Sequence, residues 1–196
     1  WISPFGSSIY CSVAWTFQGG AESLQGLSLA VGVCLCDALE ALGVTGLTLK
    51  WPNDVLCDDS KLAGILVEMS GDASGPCTAI IGMGVNLRLP AQAAREIDQR
   101  WSDLRERAPS RNALAAAYLD RLLALLDDYE AQGFAPWQRR WQGLDAFAGR
   151  RVTLESAGRI TAGVADGVDE RGALLLRTAT GVVPVHGGEV SLRPES

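Results

Sequence analysis

The sequence has no uninterrupted apolar run close to the roughly 18 residues that a membrane-spanning helix requires. Its most apolar stretch, residues 24–42, is interrupted by Gln25, Ser28, Asp37 and Glu40, which favours a core helix over a membrane span. Blocks of Lys or Arg are also missing, and the formal net charge is −6. The composition therefore predicts no binding to nucleic acid through phosphates and no membrane-surface role.

Histidine is nearly absent, and the cysteines lack a metal-binding pattern. The single histidine, His186, lies far in sequence from the other polar motifs, and we expect it to be structural. The five cysteines have no paired zinc spacing, and Cys34 and Cys36 point in different directions in a helical pattern. We therefore expect buried, reduced thiols in a cytoplasmic protein. No secretory signal is present, and because the sequence starts abruptly at Trp1 we expect that an upstream part is not included.

Hydrophobic periodicity in the first half predicts strands around one helix. The helical spacing covers residues 24–42, and Gly43 is the predicted terminator. The segments with strand-like alternation or composition are residues 9–17, 47–51, 55–57, 61–69 and 78–87. The third and fourth of these predict a hairpin around Asp58, Asp59 and Ser60.

A long helix and a β-rich region follow. Ser110 is a predicted N-cap for a helix that ends at Gly133. After Gly149, five short strand-like segments separated by glycines and charged turns predict a small all-β barrel. The fold class is therefore α+β, with predicted domains at residues 1–148 and 149–196.

Lysines and polar residues cluster at one end of the predicted sheet. Lys50 lies at a strand end, Pro52 stops regular pairing, and Asn53 and Asp54 add polar groups at the same place. Lys61 opens the next long strand. Two cations at this rim predict a site for an anion such as a carboxylate or a phosphate.

Glycines leave part of the predicted sheet flat. Gly64 follows Lys61 on its strand, and Gly82 and Gly84 lie on one face of the next strand, just before Asn86. A shallow slot floored by glycines suits a small ligand. Taken singly, each lysine is more often solvated and each glycine more often marks a bulge. The whole set in this order, however, favours a binding site.

Three runs of residues carry a resemblance to a known family. They are Lys50-Trp51-Pro52-Asn53-Asp54, then Lys61-Leu62-Ala63-Gly64-Ile65-Leu66-Val67-Glu68, and Ile81-Gly82-Met83-Gly84-Val85-Asn86-Leu87. Together they resemble the catalytic core of bacterial biotin protein ligases, and the first run is highly specific to that family. Residues 1–6 and 187–193 also resemble it, so the similarity spans nearly the whole chain.

The resemblance implies a fold and a reaction. The fold would be a catalytic domain related to class II aminoacyl-tRNA synthetases, with a mixed or antiparallel sheet and helices, followed by an SH3-like barrel. The reaction would use ATP with Mg²⁺. The carboxylate of biotin attacks the α-phosphate to give biotinyl-5′-AMP and pyrophosphate, and a lysine of a biotin carboxyl carrier protein then displaces AMP. A homodimer is also possible in this family.

The resemblance also implies roles for individual residues. Lys61, between the carboxylate of biotin and the phosphate, and Lys50, on the phosphate side, are the expected catalytic residues. The expected biotin-binding residues are Lys61, Gly64, Leu66, Gly82 and Gly84. The expected nucleotide-binding residues are Trp1, Lys50, Asn53, Asp54, Asn86 and Arg193. Asp54 is in addition the expected metal contact, through Mg-ATP.

The sequence departs from the family pattern ahead of Trp1. It does not include the glycine- and arginine-rich loop that folds over biotin and the adenylate and carries an essential arginine, nor the strands before it. Two alternatives therefore stay open. One is a non-catalytic remnant that senses biotin or dimerises, and the other is a lipoate ligase of the same fold. The Trp-Pro-Asn-Asp run argues against the second.

Overall fold

The computed structural model describes residues 4–71, 75–90, 97, 99–156, 159–187 and 190–194. Three α-helices and ten strands lie in these ranges, with short 3₁₀ helices at Ala21–Leu24 and Arg105–Arg107. The helices are α1 (Leu27–Ala41), α2 (Arg111–Gln132) and α3 (Ala135–Leu144). The strands are β1 (Ser8–Phe17), β2 (Leu47–Lys50), β3 (Asp54–Cys57), β4 (Ser60–Gly71), β5 (Cys77–Asn86), β6 (Arg151–Ser156), β7 (Arg159–Val168), β8 (Leu174–Thr178), β9 (Gly181–Val185) and β10 (Val190–Pro194).

The first sheet has the strand order β1-β5-β4-β3-β2, and neighbouring strands pair antiparallel. Its inner face packs on the helices and contributes core residues such as Val55, Ile65 and Ile81. Its outer face carries the exposed side chains of Tyr10 and Leu66. Strand alternation thus divides the sheet into an apolar face and an open face, as predicted from the sequence.

Helix α1 is buried almost all round between the first sheet and α2. It ends as predicted, since Gly43 takes a positive φ of 85° and the amide of Val44 returns to the carbonyl of Leu39 at 3.0 Å. The start differs from the prediction, because Gly26 adopts a left-handed conformation (φ 77°) and separates α1 from the 3₁₀ turn before it. A Cβ at Gly26 would lie 2.8 Å from Phe134, so this break is also a point of close packing.

The segment Ala21–Ala41 is long and apolar enough to cross a membrane by length and composition. However, 67% of its most apolar window is buried inside the protein, and Gly26 breaks its helical course. This burial is that of a core helix, as the sequence predicted.

Helix α2 matches its prediction closely. The Ser110 hydroxyl accepts the Ala113 amide at 3.1 Å, and Gly133 closes the helix with φ 61°. Its buried face is an apolar stripe of six residues: Leu114, Tyr118, Leu122, Leu125, Leu126 and Tyr129. The Glu130 carboxylate accepts the backbone amides of Gln18 and Gly19, which ties the end of this helix to the turn after β1.

The second sheet has the order β10-β6-β7-β8-β9 and is also antiparallel throughout. Several hydrogen bonds join it to the preceding part of the chain. Among them, the Trp51 indole donates to the Gly172 carbonyl at 3.1 Å, and the side-chain amide of Gln138 donates to the Val168 carbonyl at 2.7 Å. The five predicted strands are present, and the α+β fold class is confirmed.

Candidate active site

One row of residues crosses the outer face of the first sheet. Backbone pairing places Lys50 opposite Asp54, Asp54 opposite Gly64, Gly64 opposite Gly84, and Gly84 opposite Tyr10. Two glycines therefore sit between a charged end and an aromatic end. These glycines are the ones predicted to floor a slot, and the register shows that the members of the row are direct neighbours.

The next row extends the floor of the slot. Gly82 pairs with Leu66 on one side and Ser12 on the other. A Cβ added to Gly82 would lie 3.6 Å from the Leu66 carbonyl and 4.0 Å from the Ser12 hydroxyl, which are ordinary contacts. The backbone at Gly82 thus tolerates a side chain, and the space above it is open.

A β-bulge brings Lys61 to the charged end of this slot. Ala63 pairs with Val55, but Lys61 pairs with Leu56, so β4 gains one residue between these two pairs. Without the bulge, Lys61 would share the inner face with Ala63. The extra residue reverses the alternation and places Lys61 on the outer face with Asp54.

Asp54 forms ion pairs with both Lys50 and Lys61. Its Oδ1 lies 2.6 Å from the Lys61 Nζ, and its Oδ2 lies 3.4 Å from the Lys50 Nζ. The Asp54 side chain is 10% exposed, whereas Lys50 and Lys61 are 23% and 21% exposed. The carboxylate is therefore the buried member of the cluster, and the two ammonium groups keep access to solvent and ligand.

The turn that carries Asn53 is fixed by two hydrogen bonds to β4. The side-chain Nδ2 of Asn53 donates to the Ile65 carbonyl at 2.9 Å, and the backbone amide of Ile65 donates to the Asn53 carbonyl at 2.9 Å. These bonds hold the residues after Pro52 against β4. Asn53 is thereby positioned beside the slot rather than within the charged cluster.

The charged cluster opens into a cleft of about 650 Å³, which we call the cationic cleft. It lies between the first and second sheets. Its lining residues are Lys50, Asp54, Leu56, Asp59, Lys61, Gln99, Arg100, Phe147, Arg150, Leu192, Arg193 and Pro194. Five cations thus face two carboxylates in a chain whose net charge is −6. Such a local excess attracts a polyanion.

Two of these cations, Arg150 and Arg193, come from the part of the chain that forms the second sheet. Arg193, an expected nucleotide contact, lies on β10 and lines the cleft together with Lys50 and Lys61. The Arg150 guanidinium lies 5.3 Å from the centroid of the Phe147 ring and donates to the Ala146 carbonyl at 3.5 Å. Sequence reasoning did not identify Arg100 or Arg150, because no local pattern shows which distant arginines meet at a cleft.

A second cavity, of about 450 Å³, lies beside the slot. Asn53 and Leu66 line it from the first sheet, and Arg171 and His186 line it from the second. His186 was expected to be structural, but it is exposed and faces this cavity. Its distance in sequence from the slot gave no signal of this contact.

The remaining predicted site residues have different surroundings. Asn86 is 6% exposed, and its amide donates to the Ser102 carbonyl at 3.1 Å. Trp1 lies outside the described residues. The described ranges contain no group of three or more His, Cys, Asp or Glu side chains that could hold a metal ion. Asp54 is the carboxylate that pairs with both lysines, and a single carboxylate there fits an Mg²⁺ ion held mainly by nucleotide phosphates.

The cysteines are free thiols, and four of the five are buried. Burial raises the pKa of Cys34 to about 12, with a smaller contribution from the Asp37 carboxylate. Burial is also the main cause of the raised pKa of Cys57, which lies on β3 near the cluster. Four of the thiols are thus buried as expected, and Cys11 is the half-buried case.

Comparisons with known proteins agree with this geometry. The family model "Biotin/lipoate A/B protein ligase family" matches residues 1–86, and "Biotin protein ligase C terminal domain" matches residues 147–193. The biotin–[acetyl-CoA-carboxylase] ligase of Paracoccus denitrificans is 32% identical over 97% of this chain and 82% of its own length. The bifunctional ligase/repressor BirA of Escherichia coli is 38% identical over 98% of this chain, and the chain spans 61% of its length.

Solved structures similar to this chain also include biotin protein ligases. A biotin protein ligase from Aquifex aeolicus in complex with biotin and ATP superposes with a TM-score of 0.76 at 26% identity, covering 94% of this chain and 79% of that one. The chain belongs to the biotin protein ligase family, which confirms the resemblance drawn from its motifs. The named relatives favour a biotin ligase over a lipoate ligase.

Proposed function

We propose that this chain carries the catalytic part of an ATP-dependent biotin protein ligase. The observation that carries the proposal is the Asp54-bridged pair of Lys50 and Lys61 at the charged end of the Gly64–Gly84 slot. Such a site places a small apolar ligand next to a cation-rich cleft. The Aquifex aeolicus relative binds biotin and ATP, a ligand pair of this kind.

In the first step two anions must approach each other. The carboxylate oxygen of biotin attacks the α-phosphorus of ATP, a P–O bond forms, and the bond to pyrophosphate breaks. Lys61 lies between the slot and the cleft, so its ammonium group neutralises the carboxylate and the α-phosphate as they meet. Lys50 serves the phosphate on the far side of Asp54.

The other predicted roles follow the same layout. Gly64, Gly82 and Gly84 floor the biotin slot, and Leu66, 58% exposed, packs on the biotin rings. The nucleotide contacts are assigned to Trp1, Asn53, Asp54, Asn86 and Arg193. Mg²⁺ would neutralise phosphate charge when ATP is bound, and Asp54 is the residue that would contact it.

In the second step a neutral lysine amine of a carboxylase carrier domain attacks the acyl carbon of biotinyl-5′-AMP. A C–N bond forms, the C–O bond to the phosphate breaks, AMP leaves with the electron pair, and the amide nitrogen loses a proton to solvent. The carrier protein is therefore the partner we propose.

A homodimer, a cytoplasmic location and a domain boundary near residue 148 complete the proposal. The boundary is supported by the second sheet, whose strands all follow Gly149.

The test is biotin-dependent exchange of labelled pyrophosphate into ATP, followed by transfer of labelled biotin to a carrier domain. We expect both with biotin and neither with lipoate. Exchange that depends on lipoate but not on biotin would contradict the proposal. Tight biotin binding without exchange or transfer would instead support a non-catalytic sensing role.

A further inference from the structure

Lysine is almost excluded from this sequence. Of its 17 Lys and Arg residues, only Lys50 and Lys61 are lysines, and all the others are arginines. Both lysines lie in the candidate active site, and both are ion-paired to Asp54. No lysine amine therefore lies on the rest of the chain.

This distribution matters because the proposed intermediate is an acylating agent. Biotinyl-5′-AMP transfers its acyl group to a neutral amine, and any lysine near it competes with the carrier lysine. A guanidinium group supplies positive charge and phosphate-matching hydrogen bonds but stays protonated, so it cannot act as the nucleophile. Arg100, Arg150 and Arg193, which share the cationic cleft with the two lysines, are of this kind.

The amines of Lys50 and Lys61 must be kept from attacking the acyl group in another way, since each lies beside the reacting groups. The 2.6 Å contact between Lys61 Nζ and Asp54 Oδ1 is that of an ammonium donating to a carboxylate. An ammonium nitrogen has no lone pair to attack a carbonyl carbon. The longer contact, 3.4 Å between Lys50 Nζ and Asp54 Oδ2, likewise favours the ammonium form of Lys50.

The thiol on the strand of Asp54 is shielded by burial. Cys57 lies on the same strand as Asp54 and is 0% exposed, so its sulfur cannot reach an acyl group in the cleft. Among the described residues that line the cleft, the amines are therefore those of the two ion-paired lysines, and the other cations are arginines.

Resting on the proposed function, we propose that the cationic cleft is protected against self-acylation. Guanidinium groups neutralise the phosphates there, and Asp54 is the positioning residue that keeps Lys50 and Lys61 from attacking the activated biotin. The acyl group is thereby reserved for the incoming carrier lysine.

The first test introduces amines into the cleft. Arg100→Lys, Arg150→Lys and Arg193→Lys variants of the full chain are incubated with synthetic biotinyl-5′-AMP without carrier, and biotinylated peptides are quantified by mass spectrometry. Arg139→Lys, on the exposed face of α3, is the matched control. We expect labelling of the cleft lysines about tenfold or more above the control, because proximity raises the effective concentration of the adenylate. Equal labelling of cleft and control lysines would overturn the proposal.

The second test removes the restraint on the native lysines. In Asp54→Asn at saturating biotinyl-5′-AMP, we expect biotin on Lys61 or Lys50, while the wild-type chain stays unlabelled at both. Labelled Lys61 in the wild type, or none in the variant above the rate of Arg139→Lys, contradicts the role of Asp54. Because the adenylate is supplied, these outcomes are decided even if the chain fails the pyrophosphate exchange test of its proposed function.

Discussion

Replacing Lys61 with Met tests the centre of the proposed mechanism. The change removes an ammonium group while retaining an unbranched side chain on β4. In the structure this group lies 2.6 Å from Asp54, and it occupies the outer face only because of the bulge between Val55 and Leu56. The variant therefore removes one charge from the junction of slot and cleft.

The expected losses in activity and in stability differ in size. A preorganised charge at developing anions contributes about 3–4 kcal/mol to the transition state, so kcat/KM should fall by about 10²–10³-fold. The free energy of unfolding should fall less, by about 1–2 kcal/mol, because Lys50 still pairs with the Asp54 carboxylate at 3.4 Å. A double-mutant cycle with Asp54→Asn isolates the contribution of the pair.

The assay is biotin-dependent pyrophosphate exchange, with thermal unfolding measured on the same samples. Arg139→Gln, a charge removal on the exposed surface of α3, is the control and should leave both quantities unchanged. Exchange by Lys61→Met within tenfold of the wild type would refute the catalytic role of Lys61. The catalytic role of Lys61 would also be refuted if the loss of activity were fully explained by a smaller fraction of folded protein.

Three further variants test the slot, the junction between the sheets and a buried carboxyl group. Gly82→Val should fold normally but weaken biotin binding by about tenfold or more, measured by calorimetry, since its side chain would rise into the slot beside Leu66. Trp51→Phe should lower the free energy of unfolding by about 1–2 kcal/mol in denaturant titration, because it removes the indole bond to the Gly172 carbonyl; no change would mean that this bond does not join the sheets. Burial raises the pKa of Asp145 above its ordinary value of 3.8, so the folded state binds a proton more readily than the unfolded state, and stability falls as pH rises through this range. Relative to the wild type, Asp145→Asn should therefore gain stability as pH rises above 3.8; a difference independent of pH would contradict this.

Much of the fold could be predicted from local patterns. Alternation gave the strands, the Ser110 cap and Gly133 gave the limits of α2, and the glycine positions predicted a flat slot on one sheet face. These features depend on neighbours within a few residues, so hydrophobic periodicity and capping residues are enough to predict them. The break at Gly26 was missed, because the close contact with Phe134 joins residues far apart in sequence.

The sequence by itself determined the family, the secondary structure and the identity of the two lysines at the strand ends. The tertiary structure alone decided that a bulge turns Lys61 towards Asp54, that Arg100, Arg150 and Arg193 converge on one cleft, and that His186 faces the neighbouring cavity. The physical reason is that side-chain direction along a strand is local, whereas register shifts and the packing of one sheet against another depend on contacts across the whole chain.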